Sequence, residues 1–297
     1  MTVVLESRAL SKRYGRRRAL IDCTLSIPAG RVAGLVGPNG AGKTTLLNLA
    51  VGLLAPTSGT IEVLGGQPAS SPEQLARVGF VAQDTPIYVG LTVADHLKLG
   101  AKMNPRWGDG LARRRIGTVG LDPRQRAGKL SGGQRARLAL TLAIAKRPEF
   151  LILDELVASL DPLARRQFLQ GLMEAAVEHE LSVLISSHLV ADLERVCDYL
   201  IVLIESRVQL AGDVDGLLTA HRLLTGPRCD VSALPADWQV ISASHTDRQS
   251  TLLIRSTSPV TDPAWVVDQI SMEDLVLAYM SKAAMTPEVN RTLEVQR

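Results

Sequence analysis

A glycine-rich segment near the N-terminus has the residue types and spacing that bind phosphate. Residues 37–44 read Gly-Pro-Asn-Gly-Ala-Gly-Lys-Thr and fit the pattern G-x-x-x-x-G-K-[ST]. Glycines lack a Cβ, so consecutive backbone N–H groups can converge on phosphate oxygens. Lys43 supplies a mobile cation for the terminal phosphates, and the Thr44 hydroxyl suits Mg²⁺. The segment follows a predicted strand and precedes a predicted helix, whose positive end would face the same phosphates.

Two adjacent carboxylates follow an apolar run, Phe150-Leu-Ile-Leu, at Asp154 and Glu155. An acidic residue at the end of a strand beside a phosphate-binding loop can hold Mg²⁺ through water. A second carboxylate next to it can orient or deprotonate an attacking water. The alternative is a strand that simply ends in a polar turn, and the phosphate-binding loop favours the catalytic interpretation.

A second candidate anion site is Leu130-Ser131-Gly132-Gly133-Gln134, at the start of another predicted helix. A serine, two glycines and a helix N-terminus form a concave set of N–H donors. Taken alone, the segment is more typical of an ordinary N-capped helix with flexible glycines. One chain thus carries two phosphate-binding patterns.

Alternating strands and helices must position these motifs. The pattern predicts strands at 2–10, 19–27, 31–36, 78–82, 150–154, 181–186 and 200–204 and helices at 43–53, 93–102, 111–119, 134–146, 163–178 and 189–196. Asp161-Pro162 and Thr92-Val-Ala-Asp95 are helix-start signals. This order favours an α/β fold with a mostly parallel sheet.

The character of the chain changes after about residue 212, where the motifs end. We expect one domain at 1–212, which carries the phosphate-binding motifs, and a small α+β accessory domain at 213–283, with two strands within 238–256 and an amphipathic helix at 271–282. Residues 284–297 are expected to form a flexible tail.

Composition disfavours several classes of protein. The net charge of +3 is small for 297 residues, and aromatic residues make up only 3%, so nucleic-acid binding is disfavoured. The short basic run Arg16–Arg18 is more typical of a solvated face than of a nucleic-acid patch. Three widely spaced cysteines offer neither a zinc motif nor a disulfide framework. The N-terminus lacks a signal-peptide layout, and no apolar run approaches the roughly 18 residues that span a bilayer. A membrane process would therefore need a membrane part from another chain.

Together these motifs resemble those of the ABC ATPase family. They occur in the family's order and spacing over roughly residues 3–212: the phosphate-binding loop through Thr45, Gln83, Leu-Ser-Gly-Gly-Gln at 130–134, Leu-Ile-Leu-Asp-Glu at 151–155, Ser-Leu-Asp at 159–161, and His188. The resemblance implies a P-loop NTPase cassette with N-terminal antiparallel strands and a helical subdomain at about 84–147. It also implies that two cassettes pair head to tail, so that the 130–134 motif of one closes over ATP held by the other.

The resemblance also implies individual roles. Glu155 is the general base, His188 contacts the γ-phosphate, and Gln83 contacts the Mg²⁺–water shell and senses the membrane partner. Thr44, Gln83 and Asp154 serve the metal. Nucleotide-binding roles fall to Tyr14, Gly37, Pro38, Asn39, Gly40, Ala41, Gly42, Lys43, Thr44, Thr45, Ser131, Gly132, Gly133, Gln134 and Asp161. Tyr14 would stack on adenine, although a packed strand aromatic is the alternative.

The chain departs from the family pattern after the catalytic glutamate, where Leu156 replaces the usual proline and 157–159 are more apolar than usual. Loss of the proline could loosen the turn that aims Glu155, which puts the hydrolysis rate in question.

The segments 83–93 and 271–280 look similar to those of exporter-type cassettes that work with a separate multi-span permease. The expected location is the cytoplasm, peripheral on the inner face of the cell membrane. A homodimer and a heterodimer with a second cassette both remain open. The alternatives are an ABC ATPase that acts on ribosomes or nucleic acid and a regulatory ATPase whose C-terminal domain senses a ligand.

Overall fold

The computed structural model describes residues 2–85, 87–156, 160–256 and 258–285. The expected flexible tail lies outside these residues from 286 onward, and so does Ser159 of the Ser-Leu-Asp motif. The chain divides into two compact units, one ending at Ala211 and the other starting at Gly212.

The elements that position the site come from the first part of the chain. Its strands are β1 (Val3–Tyr14), β2 (Arg17–Pro28), β3 (Val32–Val36), β4 (Ser58–Val63), β5 (Val78–Val81), β6 (Phe150–Asp154), β7 (Ser182–Ser187), β8 (Tyr199–Ile204) and β9 (Arg207–Asp213). Its helices are α1 (Lys43–Ala50), α2 (Pro72–Arg77), α3 (Val93–Met103), α4 (Asp109–Thr118), α5 (Gly132–Ala145), α6 (Pro162–Glu178) and α7 (Val190–Leu193).

The central sheet has the strand order β5-β6-β7-β3-β8-β9. The pairs β5–β6, β6–β7, β7–β3 and β3–β8 are parallel. Every residue of β3, β6 and β7 is buried, because helices cover both faces of such a sheet and leave no side for water. The predicted α/β fold with a mostly parallel sheet is confirmed. The carboxyl ends of β6, β7 and β3 meet at one edge, where ligands of such sheets bind.

A separate three-stranded antiparallel sheet, in the order β2-β1-β4, lies at the N-terminus. Its apolar side chains share one core cluster with α1 and the central sheet. Helices α3, α4 and α5 lie between β5 and β6 in the chain and build a second apolar cluster around Val93, Ala112 and Leu138. The predicted capping box is present at the start of α3, where Thr92 Oγ1 accepts from Asp95 N–H and the Asp95 carboxylate accepts from Thr92 N–H.

The second unit has one four-stranded antiparallel sheet and two helices among its described residues. Its elements are α8 (Val214–Ala220), β10 (His221–Pro227), β11 (Gln239–His245), β12 (Gln249–Arg255), β13 (Val266–Asp268) and α9 (Met272–Met285). The strand order is β11-β12-β10-β13, and α9 packs against β11. Within α9 the buried and exposed residues alternate at helical spacing, as the amphipathic pattern predicts.

Several predicted boundaries are wrong. The helix predicted over 43–53 ends at Ala50, because Gly52 takes a left-handed conformation (φ 76°) that ends the helix. The helix predicted over 189–196 is only the four residues of α7. The elements β4, α2 and β10 were not predicted from the sequence. None of the helices in the described ranges is both long enough and apolar enough to cross a membrane.

Candidate nucleotide site

The phosphate-binding loop connects β3 to α1 at the carboxyl edge of the central sheet. Gly42, immediately before the helix, has a left-handed φ of 109°, and a Cβ there would overlap the carbonyl oxygen of Ala19. Only glycine fits this position. The helix has no side-chain cap, so its first N–H groups remain available to an anion.

Lys43 is turned inward and is 5% exposed. Its Nζ donates to the carbonyl oxygens of Gly37 at 2.8 Å and Pro38 at 3.3 Å. The same Nζ lies 3.0 Å from Oε1 of Glu155. In this structure the cation of the loop is therefore neutralised by the carboxylate that the sequence predicts to be the general base.

Glu155 brings together the three residues predicted to be catalytic. Its Oε2 accepts from Gln83 Nε2 at 3.4 Å and lies 3.7 Å from Nδ1 of His188. Its backbone has a positive φ of 44°, a left-handed conformation that is costly for a non-glycine residue and that turns the chain sharply after β6. Strained backbone of this kind is characteristic of functional sites.

Ser186 joins the two adjacent carboxylates. Its Oγ donates to Asp154 Oδ1 at 2.6 Å and accepts from the Glu155 N–H at 2.9 Å. Both Asp154 and Ser186 are buried, at 1% and 0% exposure. β6 and β7 pair Asp154 with Ser186, so the parallel register itself sets this contact. Sequence reasoning did not assign Ser186 a role, and its only signal was its place two residues before His188.

A cavity of about 390 Å³ opens above the loop. Most of its lining was predicted from the sequence: Tyr14, Asn39, Gly40, Gly42, Lys43, Thr44, Thr45, Gln83 and Glu155. Two lining residues, Arg17 and Ala19, were not. A larger cavity of about 1050 Å³ lies at the opposite edge of the sheet, beside Gly30, Ser182 and Asp198. It has no glycine-rich loop, so volume does not identify the site.

Other predicted residues lie elsewhere. Gly37 and Pro38 contribute carbonyl oxygens to Lys43, while the Ala41 side chain packs in the apolar core. Asp161 is not part of the cavity lining within the described residues, and its Oδ1 caps α6 by accepting from the N–H groups of Leu163 and Ala164.

The 130–134 motif is also absent from that lining. Ser131 and Gln134 form a reciprocal capping box at the start of α5, with Ser131 N–H donating to Gln134 Oε1 at 2.9 Å. Gly132 is exposed and Gly133 half-buried beside it. The ordinary N-cap is thus present, and the glycine N–H groups of the first turn lie at the surface.

Leu156, the residue in place of the family's proline, is buried at 2% exposure. Residues 157–159 lie outside the described part of the chain. The left-handed turn at Glu155 is therefore present without a proline to fix the following φ.

The family described as ABC transporter matches residues 20–158. The chain is 34% identical to the uncharacterised ABC transporter ATP-binding protein YxlF of Bacillus subtilis, over 72% of each chain. The chain belongs to the ABC transporter ATP-binding proteins. It is therefore an ATPase that binds ATP as a transporter subunit.

Other relatives carry names that refer to different cargo. The lantibiotic transport ATP-binding protein SrtF of Streptococcus pyogenes is 30% identical over 72% of this chain and 92% of its own. The thiamine import ATP-binding protein ThiQ of Salmonella choleraesuis is 35% identical over 67% and 86%. A solved ATP-binding subunit of an ABC transporter superposes with a TM-score of 0.65 at 28% identity, over 73% of this chain and 92% of its own.

Proposed function

We propose that this ABC ATPase drives export through a separate membrane permease, by ATP-dependent closure of two cassettes. The pairing of two cassettes is proposed because the two anion-binding patterns of one chain do not line the same cavity. The loop at 37–45 lines the cavity, whereas the exposed helix start at 131–134 does not. A helix start with surface glycines suits the phosphates of a nucleotide held by another cassette.

Hydrolysis in this scheme depends on the residues gathered around Glu155. Lys43 and the uncapped N–H groups at the start of α1 would hold the phosphates, and Tyr14 at the cavity wall would stack on the base. Glu155 would accept the proton of the attacking water, and His188 would contact the γ-phosphate. Ser186 fixes the backbone of Glu155. These roles rest on the contacts described above.

Three of the residues predicted to serve a metal carry groups that fit Mg²⁺. The Asp154 carboxylate, the Thr44 hydroxyl and the Gln83 amide oxygen are hard oxygen donors of the kind that this ion prefers. Mg²⁺ bound there would neutralise the charge on the β- and γ-phosphates.

An apolar groove beside Gln83 supports the proposal that the chain binds a permease. The groove, about 520 Å³, is lined by residues on both sides of Gln83, including Ala82 and Ile87. At its rim Leu53 is 66% exposed and Leu75 is 47% exposed. Exposed apolar side chains that line one groove mark an interaction surface. A partner bound here would lie next to Gln83 and could respond to its contact with Glu155.

Export rather than import is proposed from the resemblance of 83–93 and 271–280 to exporter-type cassettes. The relatives include one named for lantibiotic transport and one named for thiamine import. The proposed location is the cytoplasmic face of the cell membrane, where the permease would hold the chain.

The test is affinity purification of the chain from its host's membranes in mild detergent, followed by mass spectrometry. We expect one multi-span protein to copurify with the unaltered chain and with Val177→Glu, a control on the exposed face of α6 (78% exposed). Leu53→Glu should lose it, because a charge in an apolar interface remains desolvated and unpaired. Recovery with ribosomal proteins or nucleic acid, and without a membrane protein, would overturn the transport proposal.

A further inference from the structure

The turn between β1 and β2 places an arginine in the nucleotide cavity. Tyr14 and Arg17 pair directly across this hairpin, with only Gly15 and Arg16 between them. Directly opposed residues of an antiparallel pair project from the same face of the sheet. Both side chains line the cavity above the phosphate-binding loop. The Arg17 side chain therefore points to the same side as the ring proposed to stack on adenine.

The Arg17 guanidinium reaches the loop itself. Its Nη2 lies 3.8 Å from the position that a Cβ on Gly40 would occupy. Gly40 is one of the loop glycines and has a left-handed φ of 83°. Arg17 thus extends from the hairpin, where Tyr14 lies, to the loop that holds the phosphates. If the base of a nucleotide lay on Tyr14 and its terminal phosphates lay in the loop, its α-phosphate would lie near the Arg17 guanidinium.

Arg17 has unused binding capacity. Across the described ranges its side chain makes no hydrogen bond and no ion pair with another residue, and the residue is exposed. The other cation in the cavity lining, Lys43, is bound to Glu155 and to two carbonyl oxygens. A planar guanidinium with five donors suits a phosphate oxygen pair and keeps its charge at any physiological pH.

We propose that Arg17 binds the α-phosphate of the nucleotide, as a binding residue additional to the phosphate-binding loop. The proposal rests on the nucleotide site described above and deepens it. Arg17 would hold the part of ATP between the base on Tyr14 and the terminal phosphates on Lys43. It would attract the anionic ligand while Lys43 is still occupied by Glu155. Within the short basic run at 16–18, the middle residue, Arg17, would therefore face the ligand.

The test is the dissociation constant for ADP by titration calorimetry, measured at low and high salt. Arg17→Ala should bind ADP roughly three- to tenfold more weakly, as expected for one solvent-exposed charge-assisted contact. It should also lose part of the salt dependence, because one fewer charge pair is screened. Arg17→Lys should recover part of the affinity, since it keeps the charge but not the fork.

The matched control is Arg18→Ala, which removes the same charge one residue away. Arg18 follows Arg17 along β2, so its side chain projects from the other face, and it is not part of the cavity lining. Equal ADP affinity and equal salt dependence in the two alanine variants would overturn the proposal for Arg17. The nucleotide site itself would fail differently: the unaltered chain would not bind ADP, or Lys43→Ala would bind it equally well.

Discussion

The contact between Lys43 and Glu155 predicts that one conservative change, Glu155→Gln, has three separable effects. The ion pair is 3.0 Å long, and its side chains are 4% and 12% exposed. At an effective dielectric constant of about 20, two unit charges at this distance attract by about 5 to 6 kcal/mol. Desolvation of both groups offsets much of this attraction. Glutamine keeps an oxygen that can accept from Lys43 but removes the opposing charge, so we expect the nucleotide-free chain to lose about 2 kcal/mol of stability.

The affinity for nucleotide, by contrast, should increase in Glu155→Gln. When phosphates occupy the loop, they replace Glu155 as the partner of Lys43. The unaltered chain must then break the Lys43–Glu155 ion pair, whereas the variant loses only a hydrogen bond between Lys43 and the glutamine. Loss of the carboxylate also removes repulsion of the phosphates. A difference of about 2 kcal/mol corresponds to a roughly thirtyfold tighter dissociation constant. Hydrolysis should fall by at least about a hundredfold, because an amide cannot accept the proton of the attacking water.

The assays are urea unfolding without nucleotide, calorimetric titration with ADP, and phosphate release from ATP. ADP is the binding probe because it is not hydrolysed. The matched control is Glu205→Gln, which changes an exposed glutamate whose backbone is also left-handed (φ 49°, against 44° at Glu155). Unchanged stability together with unchanged ADP affinity in Glu155→Gln would refute the energetic role of the pair. Full turnover would refute the assignment of Glu155 as the base.

Two further predictions concern the pairing of cassettes and the stability of the fold. With ATP, the Glu155→Gln variant should form a dimer, as measured by light scattering. Adding Ser131→Arg to this variant should keep it monomeric, whereas adding Ser70→Arg, at another exposed serine, should leave the dimer intact. A dimer in all three variants would exclude the 131–134 surface from the interface. Arg77 and Arg106 lower the pKa of Glu149 from 4.5 to about 2, so this carboxylate stabilises the fold above about pH 4.5 and loses that effect as the pH falls towards 2. Because the side chain is 41% exposed, Glu149→Gln should cost only about 1 kcal/mol at pH 7, and urea unfolding should show the difference shrinking below about pH 4; a difference independent of pH would contradict this assignment.

The central elements could be predicted because several local signals agree there. The strand predicted at 150–154 has those bounds in the structure, since an unbroken apolar run ends in two charged residues. The starts of α3 and α6 were marked by Thr92 and Asp161. By contrast, β4 buries only two of its six residues and pairs with β1 at a distance of about fifty positions, so its pattern is too weak to stand out in sequence.

The site was predictable as a set of motifs but not as a set of contacts. The chain order shows that β3 and β6 are strands of one parallel sheet, and this places their carboxyl ends together. It does not show that β7 lies between them, which is what puts Ser186 beside Asp154. Nor does it show that the β1–β2 register directs Arg17 into the cavity, because alternation on a hairpin depends on the length of its turn.

The contacts of Glu155 suggest why binding and hydrolysis would be coupled in such a site. A carboxylate paired with Lys43 is aimed at the loop, because its Oε1 lies 3.0 Å from the Lys43 Nζ. Phosphates that bind Lys43 compete for the same cation. Nucleotide binding would therefore release the base from Lys43 and leave it near Gln83 and His188. The empty site would thus hold the Glu155 carboxylate against Lys43, and the ligand itself would remove that contact. The tighter ADP binding expected for Glu155→Gln measures this competition together with the repulsion between the carboxylate and the phosphates, and the stability lost without nucleotide reports the loss of the Lys43–Glu155 pair.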